Sequence, residues 1–347
     1  MKLYEVSKFF FGACIALIGF SSFAQNASLL NYQGPDRNQK LLEAAQKEQT
    51  VTVYSALRPS LLRVIIEPFE KKYNIKVKSW RSGSDTVMQR VITEATGKRY
   101  DADVVMATSP HIEAIYREKL FQPVYSPYQA DLMPGGVPAH RHWAMGMLNV
   151  WGVAYNTEQI KKADLPKTYQ DLLDTKWKGK LGVEGKVREW YITTIKNMGE
   201  DKGQQLFKEI ISKNGVSVRN GMSLLNNLVV AGEVPMAISM YVDLPETGKK
   251  AGKPIDWIPL EPVVGMAFNV AITKNSPHPN AALLFYDYML SPETQKTIAD
   301  LSIYPASTKV TNPYPKLNVK IVDPVDAINH YDQWTKMYEN DITKQAK

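Results

Sequence analysis

Three turns that combine serine with arginine or proline have the chemistry of an anion site. They are residues 54–58 (YSALR), 81–85 (RSGSD) and 108–110 (TSP), and each follows a predicted strand and precedes a predicted helix. Helix N-termini present free N–H groups and partial positive charge, which favour anions. A serine there more often only caps its helix, but three such turns at one sheet edge favour a pocket. The predicted ligand-binding residues of these turns are Ser55, Arg58, Ser82, Ser84 and Ser109.

The second half of the chain supplies three further candidates for ligand binding, Trp151, Arg188 and Tyr241. Arginine binds carboxylates and phosphates through paired N–H donors. The alternatives are an arginine that is only solvated and a tryptophan that only fills the core. Together with the serine turns, these residue types favour a small anionic ligand.

Motifs for covalent or metal-assisted catalysis are missing from the sequence. It contains no G-x-S-x-G, no H-E-x-x-H and no P-loop, and its five histidines are scattered. We therefore predict a binding protein without enzyme activity and without a cofactor. A secreted hydrolase with a dispersed Ser-His-Asp set is the alternative from another functional class.

The elements that position these residues alternate between strand and helix. Apolar, β-prone runs are followed by segments with apolar residues at helical spacing, a pattern typical of parallel sheets. The predicted strands are 51–54, 75–79, 102–107, 149–155 and 235–241. The predicted helices of the second half are 158–173, 188–198, 201–213 and 223–231.

The segment 265–307 carries a family resemblance. It reads as a buried strand, the proline turn N-S-P, an amphipathic helix and a helix restart at Ser291-Pro292-Glu293. This order resembles the periplasmic solute-binding proteins of ABC importers, particularly the ferric-ion-binding branch. The resemblance implies the α/β type II periplasmic binding protein fold, in which two lobes, each a mostly parallel sheet flanked by helices, enclose a hinged cleft.

The resemblance also implies a discontinuous domain arrangement. We predict lobe 1 from residues 25–125 and 262–310, lobe 2 from 126–261, and a helical cover from 311–347. In this family a ligand that bridges the lobes stabilises the closed form, which a membrane permease recognises. The expected partners are a small-molecule ligand and an ABC permease of the inner membrane.

The amino-terminal residues have the pattern of a cleaved signal peptide, predicted as residues 1–24. Lysines precede an apolar run at 9–20, and Ser-Phe-Ala at 22–24 is a small-x-small cleavage site. The run is shorter than the roughly 18 residues that a membrane span needs. Cys14, the single cysteine, lies inside this run, so we expect a mature chain without thiols and a periplasmic location.

The distribution of charged residues bears on the class of binding partner. The 347 residues carry a formal net charge of +7, and the basic residues form no dense block. That spread argues against nucleic acid as a partner, because nucleic-acid sites cluster lysine and arginine. We expect a monomer that binds a small molecule.

The sequence leaves two classes of ligand as alternatives. Ferric-ion-binding relatives use tyrosinates, often with a histidine or carboxylate, and carry a Tyr-Tyr pair where this chain has Tyr241 followed by Val242. Their loop after the first strand commonly supplies His or Tyr, whereas Arg58 stands in that loop here and cannot bind a metal. We therefore favour a small organic anion, such as a carboxylate or a phosphorylated compound. Ferric iron (Fe3+), with Tyr241 as a metal ligand, is the alternative.

Overall fold

A computed structural model describes residues 29–345 of the chain. The predicted signal peptide, including Cys14, lies outside the described residues. The described strands are β1 Thr50–Ser55, β2 Lys76–Arg81, β3 Val104–Thr108, β4 Ala144–Asn156, β5 Leu181–Glu184, β6 Ser217–Arg219, β7 Met236–Tyr241, β8 Ile255–Ile258, β9 Val263–Ile272, β10 Tyr304–Pro305 and β11 Val319–Ile321.

Helices follow most of these strands, as the alternating pattern predicts. The described α-helices are α1 Arg37–Glu48, α2 Pro59–Tyr73, α3 Ser84–Thr96, α4 Ser109–Arg117, α5 Arg188–Met198, α6 Glu200–Asn214, α7 Met222–Val230, α8 Asp243–Lys250, α9 Pro279–Leu290, α10 Pro292–Asp300, α11 Pro324–Asn329 and α12 Tyr331–Asp341. Among residues 29–345, none of the helices combines the length and apolar character needed to cross a bilayer.

The strands form one mixed sheet with the order β2-β1-β3-β9-β4-β7-β5-β6. Strand β1 is parallel to β2 and β3, and β5 is parallel to β6 and β7. The central strands β9 and β4 are antiparallel to each other and to β3 and β7, respectively. The sheet therefore contains two parallel groups joined by an antiparallel centre.

The two largest hydrophobic clusters lie in different parts of the structure. We call β1–β3 with α1–α4, α9 and α10 lobe 1, and β5–β8 with α5–α8 lobe 2. Phe69 and Phe285 are buried in the main core of lobe 1, with ring centroids 5.0 Å apart. Trp190 and Phe207 are buried in the main core of lobe 2, 5.6 Å apart. Each lobe thus has its own apolar interior.

Strand β4 runs through both lobes. Its Ala144 and Met147 lie in the core of lobe 1, whereas Trp151 and Val153 lie in the core of lobe 2. Strand β9 crosses in the same way beside it. The long apolar run of β4 is buried along its whole length because each end packs in a different core. The predicted domain boundaries at 125/126, 261/262 and 310/311 stay a prediction.

The carboxy-terminal segment contacts both lobes. Strand β11 pairs with β9, and α11 packs on α4 of lobe 1. Trp334 and Tyr338 of α12 are buried in the core of lobe 2. Arg117 at the end of α4 donates a 2.7 Å hydrogen bond to Asn329 Oδ1. This segment therefore lies across the junction of the lobes.

The predicted helix at 158–173 is wrong. Residues 162–164 and 169–173 form short 3-10 turns, separated by extended backbone at Leu165. Pro166 explains the break, because proline lacks a backbone N–H and disfavours helical geometry in the residue before it. The other predicted helices of the second half match α5, α6 and α7 to within one residue at each end.

Candidate functional site

The three serine turns of lobe 1 lie side by side at the carboxyl ends of β1, β2 and β3. The Ser82 N–H donates to the Ser55 carbonyl at 3.2 Å, and the Thr108 N–H donates to the Ser84 hydroxyl oxygen at 3.4 Å. Parallel strands bring their carboxyl ends to one edge, where ligands of open α/β sheets bind. Ser82 and Ser84 are half-buried at this edge.

Two of the predicted serines have their hydroxyl groups bonded inside the protein. Ser55 is fully buried, and its Oγ accepts a hydrogen bond from the Leu57 N–H at 3.1 Å. Ser109 is 1% exposed, and its hydroxyl donates to Met266 Sδ at 3.5 Å. In this conformation both hydroxyls stabilise the turns that contain them.

Lobe 2 presents a matching edge at the carboxyl ends of β5, β6 and β7. The Gly185 N–H donates to the Arg219 carbonyl at 2.9 Å, which joins the first two turns. The buried Glu184 carboxylate accepts from the Lys186 N–H at 2.7 Å and the Gly221 N–H at 2.9 Å. Burial raises the pKa of Glu184. An internal carboxylate therefore occupies two N–H groups that would otherwise be open to an anion.

Arg58 and Asp243 join the two edges. Arg58 ends the β1 turn of lobe 1, and its Nη2 donates to the Asp243 carboxylate at the start of α8 in lobe 2. The Asp243 side chain is 4% exposed and that of Arg58 24% exposed. Burial raises the pKa of Asp243, and the Arg58 guanidinium opposes that rise. The carboxyl edges of the two lobes thus face each other.

Asp85 receives donors from three parts of the chain. It lies in the β2 turn of lobe 1, and its Oδ1 is 2.8 Å from His111 Nε2 and 2.7 Å from the Tyr331 hydroxyl, which donates to it. Arg188 Nη2 at the start of α5 in lobe 2 lies 3.9 Å away. The hydrogen bond from His111 is the main cause that holds the pKa of Asp85 well below its usual range, although burial opposes it. Asp85 is therefore ionised and attracts Arg188 across the cleft.

Tyr331 contacts both members of this second pair. The Arg188 guanidinium lies 4.0 Å from the centroid of the Tyr331 ring, a cation–π distance. Burial, then the hydrogen bond to Asp85, raises the pKa of Tyr331 to about 12. Its hydroxyl is therefore a donor at neutral pH. The carboxy-terminal segment thus forms one wall of the cleft at Arg188.

Trp151 and Tyr241 form an aromatic pair in lobe 2. They face each other on the adjacent strands β4 and β7, with ring centroids 5.0 Å apart. Burial raises the pKa of Tyr241; the carboxylates of Glu189, Glu184 and Asp243 add to the rise. Trp151 Nε1 is buried and has no hydrogen-bond partner among the described residues. The half-buried Tyr241 is a neutral phenol in this setting.

A cavity of about 460 Å³ opens beside Arg188. Asp85 lines it from lobe 1, Lys186 and Arg188 from lobe 2, and Tyr331 and Tyr338 from the carboxy-terminal segment. Its volume is within the range typical of small-molecule sites. The cations Lys186 and Arg188 line it together with the carboxylates of Asp85 and Glu339, and the Tyr331 and Tyr338 hydroxyls donate to Asp85 and to the Glu184 carbonyl.

The surroundings of Tyr241 bear on the ferric alternative. No group of three or more His, Cys, Asp or Glu side chains between residues 29 and 345 could hold a metal ion. The Tyr54 hydroxyl donates to Glu94 Oε1 at 2.9 Å within lobe 1, away from Tyr241. Tyr331 donates to Asp85 instead. The residue that follows Tyr241 is Val242, at the position where a second tyrosine is expected in ferric-binding relatives.

Sequence reasoning proposed Arg58, Arg188, Trp151 and Tyr241. The structure places the two arginines opposite carboxylates of the other lobe and buries Trp151 beside Tyr241. Sequence reasoning did not single out the carboxylates Asp243 and Asp85, although Asp85 stands in the predicted turn 81–85, nor the donors His111 and Tyr331. Asp243 could have been found from its place two residues after Tyr241. Tyr331 had no local signal, because only the folding of the last segment brings it to Asp85.

Two curated relatives align with much of the chain. It is 24% identical over 216 residues to an Fe(3+)-binding periplasmic protein of Serratia marcescens, covering 60% of this chain and 63% of that protein, less than two thirds of its length. It is 23% identical over 270 residues to a putative 2-aminoethylphosphonate-binding periplasmic protein of Salmonella typhi, covering 74% of this chain and 78% of that one.

A solved structure has the same fold. The periplasmic binding protein AfuA from Actinobacillus pleuropneumoniae, determined with exogenous fructose-6-phosphate bound, superposes with a TM-score of 0.73 at 22% identity. The match covers 85% of this chain and 98% of AfuA. The predicted two-lobed α/β periplasmic binding protein fold is thereby confirmed.

The sequence profile of bacterial extracellular solute-binding proteins matches residues 54–296. That range contains both arginine pairs and spans most of the chain, whereas Tyr331 lies beyond it. The family predicted from the segment 265–307 is confirmed: the protein belongs to the bacterial extracellular solute-binding protein family.

Proposed function

We propose that the protein is the periplasmic substrate-binding component of an ABC importer that captures a small organic anion. Hinge closure around the ligand would bring the two lobes together, and a permease in the inner membrane would recognise the closed form. The Serratia and Salmonella relatives are named as periplasmic proteins, which supports the location. The protein acts as a binder in this proposal, and no catalytic step is required.

The observation that carries the proposal is the reciprocal pairing across the cleft. Arg58 of lobe 1 pairs with Asp243 of lobe 2, while Arg188 of lobe 2 faces Asp85 of lobe 1. Each cation stands at the start of a helix, where the helix dipole also attracts negative charge. An anion between these groups would contact both lobes at once.

The arginines keep donors for a ligand. A guanidinium has five N–H donors. Within the described residues, the ion pairs and hydrogen bonds of Arg58 and Arg188 use Nη2 alone. The remaining N–H groups can bind a carboxylate or a phosphate, and the fork favours two parallel bonds to such a group.

The ligand names of relatives also support an oxyanion. The Salmonella protein is named for a phosphonate, and AfuA was solved with a sugar phosphate. Phosphonate and phosphate oxygens have the charge and geometry that arginine donors match. A phosphorylated or phosphonate compound is therefore the first class to test, with carboxylates second.

Ferric iron as the transported cargo is the second candidate, supported by the name of the Serratia relative. Tyr241 at the end of β7 would be its ligand in this chain. Val242 follows Tyr241 where a second tyrosine is expected in ferric-binding relatives, which places this candidate behind the organic anion, because a ferric ion is held best by several hard oxygen ligands.

Native mass spectrometry of the mature protein, together with an iron assay and visible absorbance, tests the proposal. We expect a bound organic anion and no stoichiometric iron. A thermal-shift series with 2-aminoethylphosphonate, fructose-6-phosphate, citrate and ferric nitrilotriacetate then ranks ligands, because a ligand at about 100 times its Kd stabilises the fold by about 2.7 kcal/mol. A red protein with one ferric ion would overturn the organic-anion proposal.

A further inference from the structure

Asp85 keeps one carboxylate oxygen open to the cavity beside Arg188. Its Oδ1 lies 2.8 Å from His111 Nε2, 2.7 Å from the Tyr331 hydroxyl and 3.9 Å from Arg188 Nη2. Its Oδ2 receives no hydrogen bond from residues 29–345. The Asp85 side chain is 42% exposed and lines the cavity. Oδ2 is therefore a free acceptor in the cavity wall.

The groups around Asp85 hold it in one position and in its ionised form. His111 is buried, and its Nδ1 lies 2.8 Å from the Thr108 hydroxyl, so both nitrogens of the ring are engaged. The Tyr331 ring is fixed under Arg188. Asp85 is ionised at neutral pH because its pKa lies below the usual range. A charged acceptor that is already ordered favours a ligand with a matching donor, because little side-chain freedom is lost on binding.

The other charged residues of the cavity lining balance Asp85. Lys186 forms no ion pair in the described part of the chain, and Arg188 uses Nη2 alone. Glu339 is the second carboxylate of the lining, and Lys344 Nζ lies 3.4 Å from it. The lining therefore carries two cations and two carboxylates, with a formal net charge of zero. A ligand with charges of both signs preserves this balance, whereas a simple anion does not.

Two kinds of ligand donor fit Asp85 Oδ2, a hydroxyl group and an ammonium group. Arg188 Nη2, at 3.9 Å, is beyond hydrogen-bond distance from Oδ1. No lysine or arginine of residues 29–345 is hydrogen-bonded to the Asp85 carboxylate. Hydrogen bonds between ionised groups are about twice as strong as those between neutral groups. An ionised carboxylate without a bonded cation therefore favours the ammonium group.

We propose that Asp85 is the specificity-determining residue of this cavity and that it selects a zwitterionic ligand. The ammonium group of the ligand bonds to Asp85 Oδ2, and its phosphonate or carboxylate group bonds to Lys186 and the free donors of Arg188. Because it rests on the proposed function, this inference narrows the ligand from organic anions in general to amino acids and aminophosphonates. The carboxylate of Asp85 thus acts on selectivity among anions, which the arginines alone do not provide.

Two matched pairs of probes test the inference: 2-aminoethylphosphonate with ethylphosphonate, and β-alanine with propionate. Isothermal titration calorimetry of the mature protein should give at least about tenfold higher affinity for the amino compound in whichever pair binds, as expected for one charge-assisted hydrogen bond. Equal affinities within each pair, or no binding by any of the four, would overturn the inference. An organic anion without an amino group, retained in native mass spectrometry, would overturn the inference and leave the proposed function in place.

Asp85→Asn assigns the selectivity to this carboxylate. The amide keeps an oxygen for His111 and Tyr331 but carries no charge, so the preference for the amino compound should fall by about tenfold. An equal loss of affinity for both members of a pair would indicate a structural role alone and would overturn the assignment. Asp201→Asn is the control, because it removes an exposed carboxylate that forms no ion pair in the described part of the chain. It should leave the preference unchanged.

A third phosphonate tests the ammonium group without any variant, which keeps the proposal falsifiable if Asp85→Asn does not fold. In 2-hydroxyethylphosphonate a hydroxyl group of similar size replaces the ammonium group. The wild-type protein should bind it at least about fivefold more weakly than 2-aminoethylphosphonate, because its bond to Asp85 is not between two ionised groups. Equal or tighter binding of the hydroxyl compound would overturn the selection of a zwitterion.

Discussion

The Tyr331 hydroxyl donates a 2.7 Å hydrogen bond to the Asp85 carboxylate, which joins the carboxy-terminal segment to the β2 turn of lobe 1. The same ring lies under the Arg188 guanidinium of lobe 2. One side chain from the end of the chain thus contacts both sides of the cleft. Its position makes the carboxy-terminal segment part of the closed arrangement.

Tyr331→Phe should weaken ligand affinity by about fivefold. The substitution removes one hydrogen bond to a charged group, worth about 1 kcal/mol at a partly exposed carboxylate, and keeps the ring over Arg188. Isothermal titration calorimetry with the ligand found by native mass spectrometry measures the change. Tyr100→Phe, at an exposed tyrosine, is the control. Equal affinities in wild type and Tyr331→Phe would contradict a role for this hydroxyl.

Arg58→Ala should lower the free energy of unfolding by about 3 kcal/mol, because it leaves the buried Asp243 carboxylate without its cation. Urea denaturation followed by circular dichroism measures the loss. Arg63→Ala, on the same helix with an exposed side chain, should change stability by less than about 0.5 kcal/mol. The double variant Arg58→Ala/Asp243→Leu should regain part of the lost free energy of unfolding, because it no longer buries an unpaired carboxylate. A double variant no more stable than Arg58→Ala would show that loss of the Arg58–Asp243 pair does not cause the destabilisation.

Acid should weaken the contact between the lobes at Asp85. The pKa of Asp85 lies below the ordinary 3.8, so its ionised form contributes stability that is fully present above about pH 4. This contribution is lost as the pH falls from there towards the depressed pKa. Melting temperatures recorded from pH 6 to pH 2.5 should fall less for Asp85→Asn than for wild type. Parallel curves for the two proteins would contradict the depressed pKa.

Ferric titration should produce no intense tyrosinate charge-transfer band. Burial raises the pKa of Tyr241, so ionising it to bind iron is costly, and residue 242 is valine. Visible absorbance during addition of ferric nitrilotriacetate measures this. A band that is present in wild type and lost in Tyr241→Phe would favour iron as the cargo.

Gly152→Ala should destabilise the protein by about 1–3 kcal/mol. Gly152 lies on β4 just after the crossing between the lobes, and an added Cβ would lie 2.8 Å from Val242 Cγ1 and 3.1 Å from the Ile258 carbonyl oxygen. Gly146→Ala on the same strand is the control, because its Cβ would meet atoms only at 3.4 Å or more. Thermal denaturation of both variants tests the difference; equal melting temperatures would rule out the overlap at Gly152.

Local patterns were sufficient for most elements of the fold. The helix at Arg188–Met198 and the strand at Met236–Tyr241 follow from apolar spacing and from the turn residues beside them. The helix predicted at 158–173 failed because the apolar spacing continues through Pro166, which stops the helix. The spacing of apolar residues does not reveal where the helix ends, whereas the missing N–H of Pro166 does.

The sequence predicted the residues at each edge of the candidate site but not their partners on the opposite lobe. Arg58, Ser82 and Ser84 follow strands that run parallel, so local sequence predicts that they share one edge. Arg188 and Tyr241 are predicted on the second edge by the same rule. Their partners Asp243 and Asp85 belong to the opposite lobes, and sequence patterns do not report which charges meet across a cleft.

By itself the sequence determined the alternation of strands and helices, the family and the preference for an anionic ligand, because these depend on residue types and on spacing within short segments. Only the tertiary structure decided that Arg58 pairs with Asp243, that Tyr331 bonds to Asp85 and that Trp151 Nε1 is buried without a partner among the described residues. The two pairs join residues 185 and 246 positions apart, and the third relationship depends on what surrounds a side chain. All of them arise only when the chain has folded and β4 and β9 have joined the two lobes.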